Sequence, residues 1–136
     1  GIPCIYYGDE IADVGGNDPD NRRMMRFDGW NEQESWMHAW TQTWIALRTS
    51  RMSMLYGQTS YTELAPGLLA IHRSYLSENT WVLINTMGQP YNLALDTGET
   101  LQPLVGTLDA TASGGYAIKA WGAAAFDVRL SVRNRK

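Results

Sequence analysis

Cysteine is nearly absent from this 136-residue chain. Cys4 stands alone in an apolar run, which excludes a disulfide framework and a cysteine-based metal site within the chain; the expectation is a buried, unreactive thiol. Histidine is almost as scarce. His38 falls in a segment of helical spacing and His72 in a β-type run, with no second histidine at a ligand distance, so no zinc pattern forms. Asn17, Asp18 and Asp20 crowd together but lack the glycine and distal glutamate of an EF-hand loop, and neither a metal nor an organic cofactor is expected. No apolar run approaches the roughly 20 residues that span a bilayer, and no membrane partner is expected. A dominant charge is missing too: 14 acidic residues against 11 basic give a net charge of −3. The one basic cluster, Arg133-Asn134-Arg135-Lys136, reads as a solvated terminus, so a nucleic-acid partner is not expected.

What is present suffices for a folded domain. The chain is 44% apolar, enough at this length to bury a core. Six tryptophans and seven tyrosines suit either a dense interior or a surface where flat rings meet flat ligands.

Four textures follow one another. Ile2 to Tyr7 is a continuous apolar and aromatic run closed by Gly8-Asp9-Glu10, the pattern of a parallel strand buried on both faces. Such a strand needs neighbours that the rest of the sequence does not supply, and the chain opens at Gly1-Ile2-Pro3 with no methionine; the expectation is a fragment of a longer protein. From Ile11 to Trp30 the chain is rich in Gly, Asn, Asp and Arg and has no period, which predicts a long loop, the kind that carries function. Asn31 with Glu34 three positions on forms a capping box, and Trp36, Trp40, Trp44 and Leu47 recur at helical spacing. These predict a helix to about Ser50 whose tryptophan stripe is core.

Beyond Leu55-Tyr56-Gly57 come short β-type runs: Thr59 to Leu64, Leu68 to Ser74, Trp81 to Asn85, Tyr91 to Leu95, Leu101 to Leu104, Tyr116 to Lys119 and Ala123 to Val128. Turn signals such as Pro66-Gly67, Thr97-Gly98 and Ser113-Gly114-Gly115 separate them at the intervals of an antiparallel meander or sandwich.

Three features in order carry a resemblance: Gly1-Ile2-Pro3-Cys4-Ile5-Tyr6-Tyr7-Gly8-Asp9-Glu10, the loop Gly15-Gly16-Asn17-Asp18-Pro19-Asp20-Asn21-Arg22-Arg23, and Leu47-Arg48 late in the helix. Together they resemble the C-terminal end of the α-amylase family (glycoside hydrolase family 13). Asp18-Pro19-Asp20-Asn21-Arg22 is similar to a motif of the cyclomaltodextrinase and neopullulanase group, although Asn21 stands where many relatives carry cysteine. The resemblance implies a mainly β chain: residues 1–55 the last strand, substrate loop and helix of a (β/α)8 barrel, residues 56–136 a C-terminal antiparallel β-sandwich domain. It also implies that Asp18 and Arg22 contact sugar, with Asp20 and Arg23 as secondary candidates, and that the partner is an α-glucan oligosaccharide.

The residues alone allow the same chemistry. A carboxylate and a guanidinium four positions apart can grip neighbouring sugar hydroxyls with charge-assisted bonds; equally, they can pair with each other and merely order the loop. Asp9 and Glu10 are not a catalytic pair. Retaining glycoside hydrolysis needs two carboxyls about 5 to 5.5 Å apart flanking one bond, whereas adjacent residues of an extended segment point to opposite sides. The resemblance puts the catalytic carboxylates upstream of Gly1, so the isolated chain is expected to be inactive. Two other readings stay open: a carbohydrate-binding or purely structural β-module, and a transglycosylase of the same family. Without its barrel, the apolar strand and tryptophan-bearing helix are expected to fold over the β-domain or to drive self-association.

Overall fold

The computed structural model describes residues 3–94, 99–106, 108–112 and 115–130, with the side chains of 129 and 130 left aside. Ile2, Leu95, the Thr97-Gly98 turn, Ser113-Gly114 and the basic tail named above therefore lie outside the described residues. The chain divides into two compact units, Gly1–Ala46 and Leu47–Lys136.

In the first unit a short 3-10 turn, Asp9–Ile11, is closed by carboxylates: the Tyr6 N–H donates to Asp9 Oδ2 at 2.9 Å and the Gly8 N–H to Glu10 Oε2 at 2.9 Å. Gly8 sits at φ 95, where a side chain would be strained and would press on Asp13. Ile11 behind it is fully buried. A second 3-10 turn spans Asp20–Arg22, and α1 follows at Glu32–Ser50, its residues from Leu47 on belonging to the second unit. The expected capping box is present: the Glu34 N–H donates to Asn31 Oδ1 at 2.9 Å and the Asn31 N–H to Glu34 Oε2 at 2.8 Å.

Two expectations for this unit are corrected. Residues 3–6 form no strand, Cys4 is exposed rather than buried, and Ile5, Tyr6 and Tyr7 are all exposed. A parallel strand takes its hydrogen bonds from flanking strands, and every strand pairing among the described residues is antiparallel and lies in the second unit. The tryptophan stripe is likewise not core. Trp36 is 59% exposed, and Trp40 and Trp44 are half-buried, packed on each other at 5.7 Å; only Leu47 of the predicted face is buried.

The second unit is β-rich. After α2 (Met52–Tyr56), eight strands follow among the described residues: β1 Gln58–Ala65, β2 Leu68–Tyr75, β3 Glu78–Asn85, β4 Tyr91–Leu93, β5 Glu99–Val105, β6 Leu108–Ala110, β7 Tyr116–Ile118 and β8 Ala123–Leu130. They form an antiparallel five-stranded sheet, β1-β2-β3-β8-β5, and a three-stranded one, β4-β7-β6. Both sheets face one cluster: Leu68, Ala70, Leu83, Leu101, Ala124 and Phe126 from the larger, Leu108 and Ile118 from the smaller. This is the expected sandwich. Pro103, which cannot donate to a ladder, sits on edge strand β5 beside a register shift. Gly106 at φ 76 then turns the chain where any Cβ would lie 2.3 Å from the Ala123 carbonyl oxygen.

A buried polar node fastens α2 to β3. Ser53 and Thr80 are fully buried and share a 2.7 Å hydroxyl bond. Arg51 Nε donates to Thr80 Oγ1 at 2.6 Å and its Nη2 to the Asn79 carbonyl at 2.7 Å, while the Ser53 N–H donates to Glu78 Oε1 at 2.6 Å. That donation, reinforced by the Ser53 hydroxyl and by Arg51, holds the Glu78 carboxyl below its ordinary range. Thr80→Val keeps the shape but takes the acceptor from the Arg51 Nε–H and leaves the Ser53 hydroxyl with Glu78 alone. Urea unfolding should show a loss of about 1 to 3 kcal/mol. A loss under about 0.5 kcal/mol would mean the node adds no more than an ordinary surface contact.

Candidate functional site

The loop residues singled out by sequence come together as two neighbouring ion pairs on the 3-10 turn Asp20–Arg22 and its flanks. Arg22 Nη2 donates to Asp18 Oδ2 at 2.7 Å, with both side chains more than 60% exposed. Arg23 donates to Asp20 Oδ1 through Nε at 2.7 Å, with Nη2 at 2.6 Å from the same oxygen. Asp20 Oδ2 in turn accepts the Gly16 N–H at 2.6 Å. Both oxygens of Asp20 are thus committed to holding the loop, whereas the Asp18–Arg22 bond uses one oxygen and one terminal nitrogen in open solvent.

The two pairs also differ in position. A cavity of about 330 Å³ lies beside the loop, lined by Tyr6, Tyr7, Asp13, Asp20, Arg23 and Met24 among others; Asp18 and Arg22 stand outside its lining. Tyr6 and Tyr7, with ring centroids 4.4 Å apart at 40°, supply an aromatic wall that the sequence reading left unassigned, as it did Asp13. The available signal was a Tyr-Tyr pair immediately before a glycine turn that leads into a charged loop.

The loop's far end is tied down by Arg26, which bonds both oxygens of Glu34 and lies 3.5 Å from Asp13 Oδ2. Arg26, followed by the Asn31 N–H, holds the Glu34 carboxyl below its ordinary range. Trp30 Nε1 donates to the Arg26 carbonyl at 3.3 Å, and its ring packs on His38 at 4.6 Å. In the second unit His72 stacks on its cross-strand partner Trp81 at 4.2 Å and bonds Asn79 Oδ1 at 2.9 Å. Both histidines are therefore engaged structurally. Among the described residues no group of three His, Cys, Asp or Glu side chains is arranged to hold a metal.

Asp20 is the loop's titratable latch. The Gly16 N–H, and after it Arg23, holds its carboxyl below the ordinary value of 3.8. A lowered folded pKa means that its contribution is complete above 3.8 and is lost as pH falls through the lower folded value. A carbon-detected NMR titration should place the Asp20 midpoint below 3.8, with the Gly16 amide shifting in step. A midpoint at or above that value would remove the latch.

No family model matches the chain. Among curated proteins it is 30% identical to a cyclomaltodextrinase from a Bacillus species over 79% of this chain. It is also 30% identical to neopullulanase 2 of Thermoactinomyces vulgaris over 74% of this chain. These matches cover 19% and 17% of the relatives' own lengths. Among solved structures, an α-amylase from Anoxybacillus superposes with a TM-score of 0.69 at 29% identity, covering 96% of this chain and 29% of that one.

Proposed function

Because the chain is a relative of the α-amylase-family enzymes, glycoside hydrolases that act on maltodextrins and starch, we propose that it is the C-terminal part of a retaining α-glucan hydrolase. In this reading residues 1–55 complete a catalytic barrel, and residues 56–136 close it with a β-domain. The catalytic carboxylates come from residues outside this chain. What the chain adds to the reaction is grip and placement: Asp18 and Arg22 hold hydroxyls of a maltodextrin unit while chemistry proceeds elsewhere.

The observation that carries the reading is the exposed, singly bonded Asp18–Arg22 pair on a loop otherwise locked by its own contacts. Both groups can turn a charged atom toward a hydroxyl at little cost, because an exposed ion pair is worth only about 0 to 1 kcal/mol. A sugar hydroxyl, at once donor and acceptor, can insert between carboxylate and guanidinium and satisfy both. A loop leaving the C-terminal end of a barrel strand lies on the face where such enzymes carry out their chemistry.

Two measurements test it. The purified 136-residue chain should release no sugar from maltoheptaose or a cyclodextrin; turnover by the chain alone would show that it carries its own carboxylates. Self-association is proposed as well, through the exposed run 3–7 and the tryptophan face of α1, and a strictly monomeric chain in sedimentation would refute it. In a chimera where this chain replaces the matching segment of a cyclomaltodextrinase, Arg22→Ala should lower kcat/KM for maltoheptaose roughly tenfold, the loss of one charge-assisted bond. An unchanged kcat/KM would leave the pair with only its loop-ordering role.

A further inference from the structure

Trp121 stands out among the aromatic residues of the second unit. Its residue is 75% exposed, and its backbone is left-handed at φ 53. A bulky residue rarely adopts that conformation, and glycine is its natural occupant. The sequence places glycine immediately afterwards, at Gly122, while the Gly67 and Gly106 turns do use glycine for positive φ. Leu76, also left-handed, is at least accounted for by the two-residue turn between β2 and β3, which calls for positive φ.

The strain at Trp121 cannot relax, because the turn is fixed from beneath. Asn85 is 1% exposed, and its Nδ2 donates to the Gln89 carbonyl at 3.0 Å and to the Lys119 carbonyl at 2.9 Å. Its Oδ1 accepts the Met87 N–H at 2.9 Å. The backbones are joined too: the Asn85 N–H donates to the Gly122 carbonyl at 2.8 Å, and the Trp121 N–H to the Met87 carbonyl at 3.1 Å. One buried amide therefore locks two loops, residues 86–90 and 119–122, into a single platform. The edge of the indole, at Nε1 and Cζ2, lies close over Gly88, about 4 Å from where a side chain there would begin. A Cβ at Gly88 would meet the ring in ordinary van der Waals contact, so the indole edge rests against this turn.

A large apolar ring displayed on a rigid, strained support, with nothing packed on most of its surface, is built for a partner with a flat apolar face. We propose that Trp121 is a carbohydrate-binding platform separate from the Asp18–Arg22 loop, stacking the C–H face of one glucose unit of an α-glucan chain. The choice of glucan rests on the functional reading above; the choice of a neutral sugar rests on the surroundings. Gln89 and Lys119 are exposed in the same two loops and offer polar groups for sugar hydroxyls. Lys119 is the charged residue of those loops, and it already lies 3.9 Å from Asp109 Oδ2, so nothing here concentrates charge for an anion.

The test separates display from architecture. Trp121→Gly removes the ring and puts the preferred residue at φ 53, so the variant should melt at or above the temperature of the parent chain. In gels containing soluble amylopectin the 136-residue chain should be retarded, and Trp121→Gly should weaken that binding roughly tenfold, as loss of an aromatic anchor does. Equal retardation of Trp121→Gly and the parent chain overturns the proposal. So does a marked fall in melting temperature, which would make the ring structural, and so does a parent chain that is not retarded at all. None of these outcomes bears on Arg22 in the chimera, so the loop reading stands or falls separately.

Discussion

The β-rich unit depends on a constraint that is polar rather than apolar: Ser53 and Thr80 are wholly buried, and each must be satisfied by the other and by Arg51 and Glu78. A buried hydroxyl without a partner costs more than the bond it would have made, so these four residues stand or fall together. Their combined effect is positional. They bring α2 against β3, and Arg73 on β2 adds donations to the Ser53 and Met54 carbonyls at 3.0 and 2.9 Å. Arg48, from the last turn of α1, donates to the same Met54 carbonyl at 2.9 Å. The Ser53 carbonyl also accepts the Gly57 N–H at 3.0 Å, so backbone and arginines together take up the carbonyls at the end of this five-residue helix. Gly57 completes the arrangement, since a Cβ there would lie 2.2 Å from the Ser53 carbonyl oxygen.

Asn85 plays the corresponding part at the other end of β3. Both nodes use a small buried polar side chain to fix irregular backbone, α2 in one case and two turns in the other. In both, the hydrophobic cluster between the sheets supplies the bulk stabilisation, and the polar residue selects the one arrangement in which its bonds are all made.

How much of this could be read from the sequence follows from the range of each interaction. The capping box was legible because Asn31 and Glu34 meet within one turn, and β2 and β3 because their alternation and flanking turns are local. β6 was not, since Leu108-Asp109-Ala110 has no strand preference of its own and becomes a strand only through β7. α2 is too short to show a period. The tryptophan stripe and the run 3–7 misled for the opposite reason. Their apolarity reports a partner surface, and the described residues contain none that covers them. The sandwich and its family were therefore recoverable, while exposure at Cys4 and Trp36 was not.

The same distinction governs the candidate site. The resemblance put Asp18 and Arg22 first and Asp20 and Arg23 second, and the geometry shows how the two pairs differ. Asp20 spends one oxygen on Gly16 and the other on Arg23, so a ligand that took either would have to replace an internal bond of the loop. Asp18 and Arg22 meet through a single bond between exposed atoms, and a hydroxyl entering there restores what it displaces. Sequence spacing brings a carboxylate and a guanidinium within reach of each other; whether they hold a loop or a ligand depends on how many of their bonds the protein has already used. By that criterion the loop is built on Asp20 and Arg23, while Asp18 and Arg22 keep bonding capacity that the protein has not used.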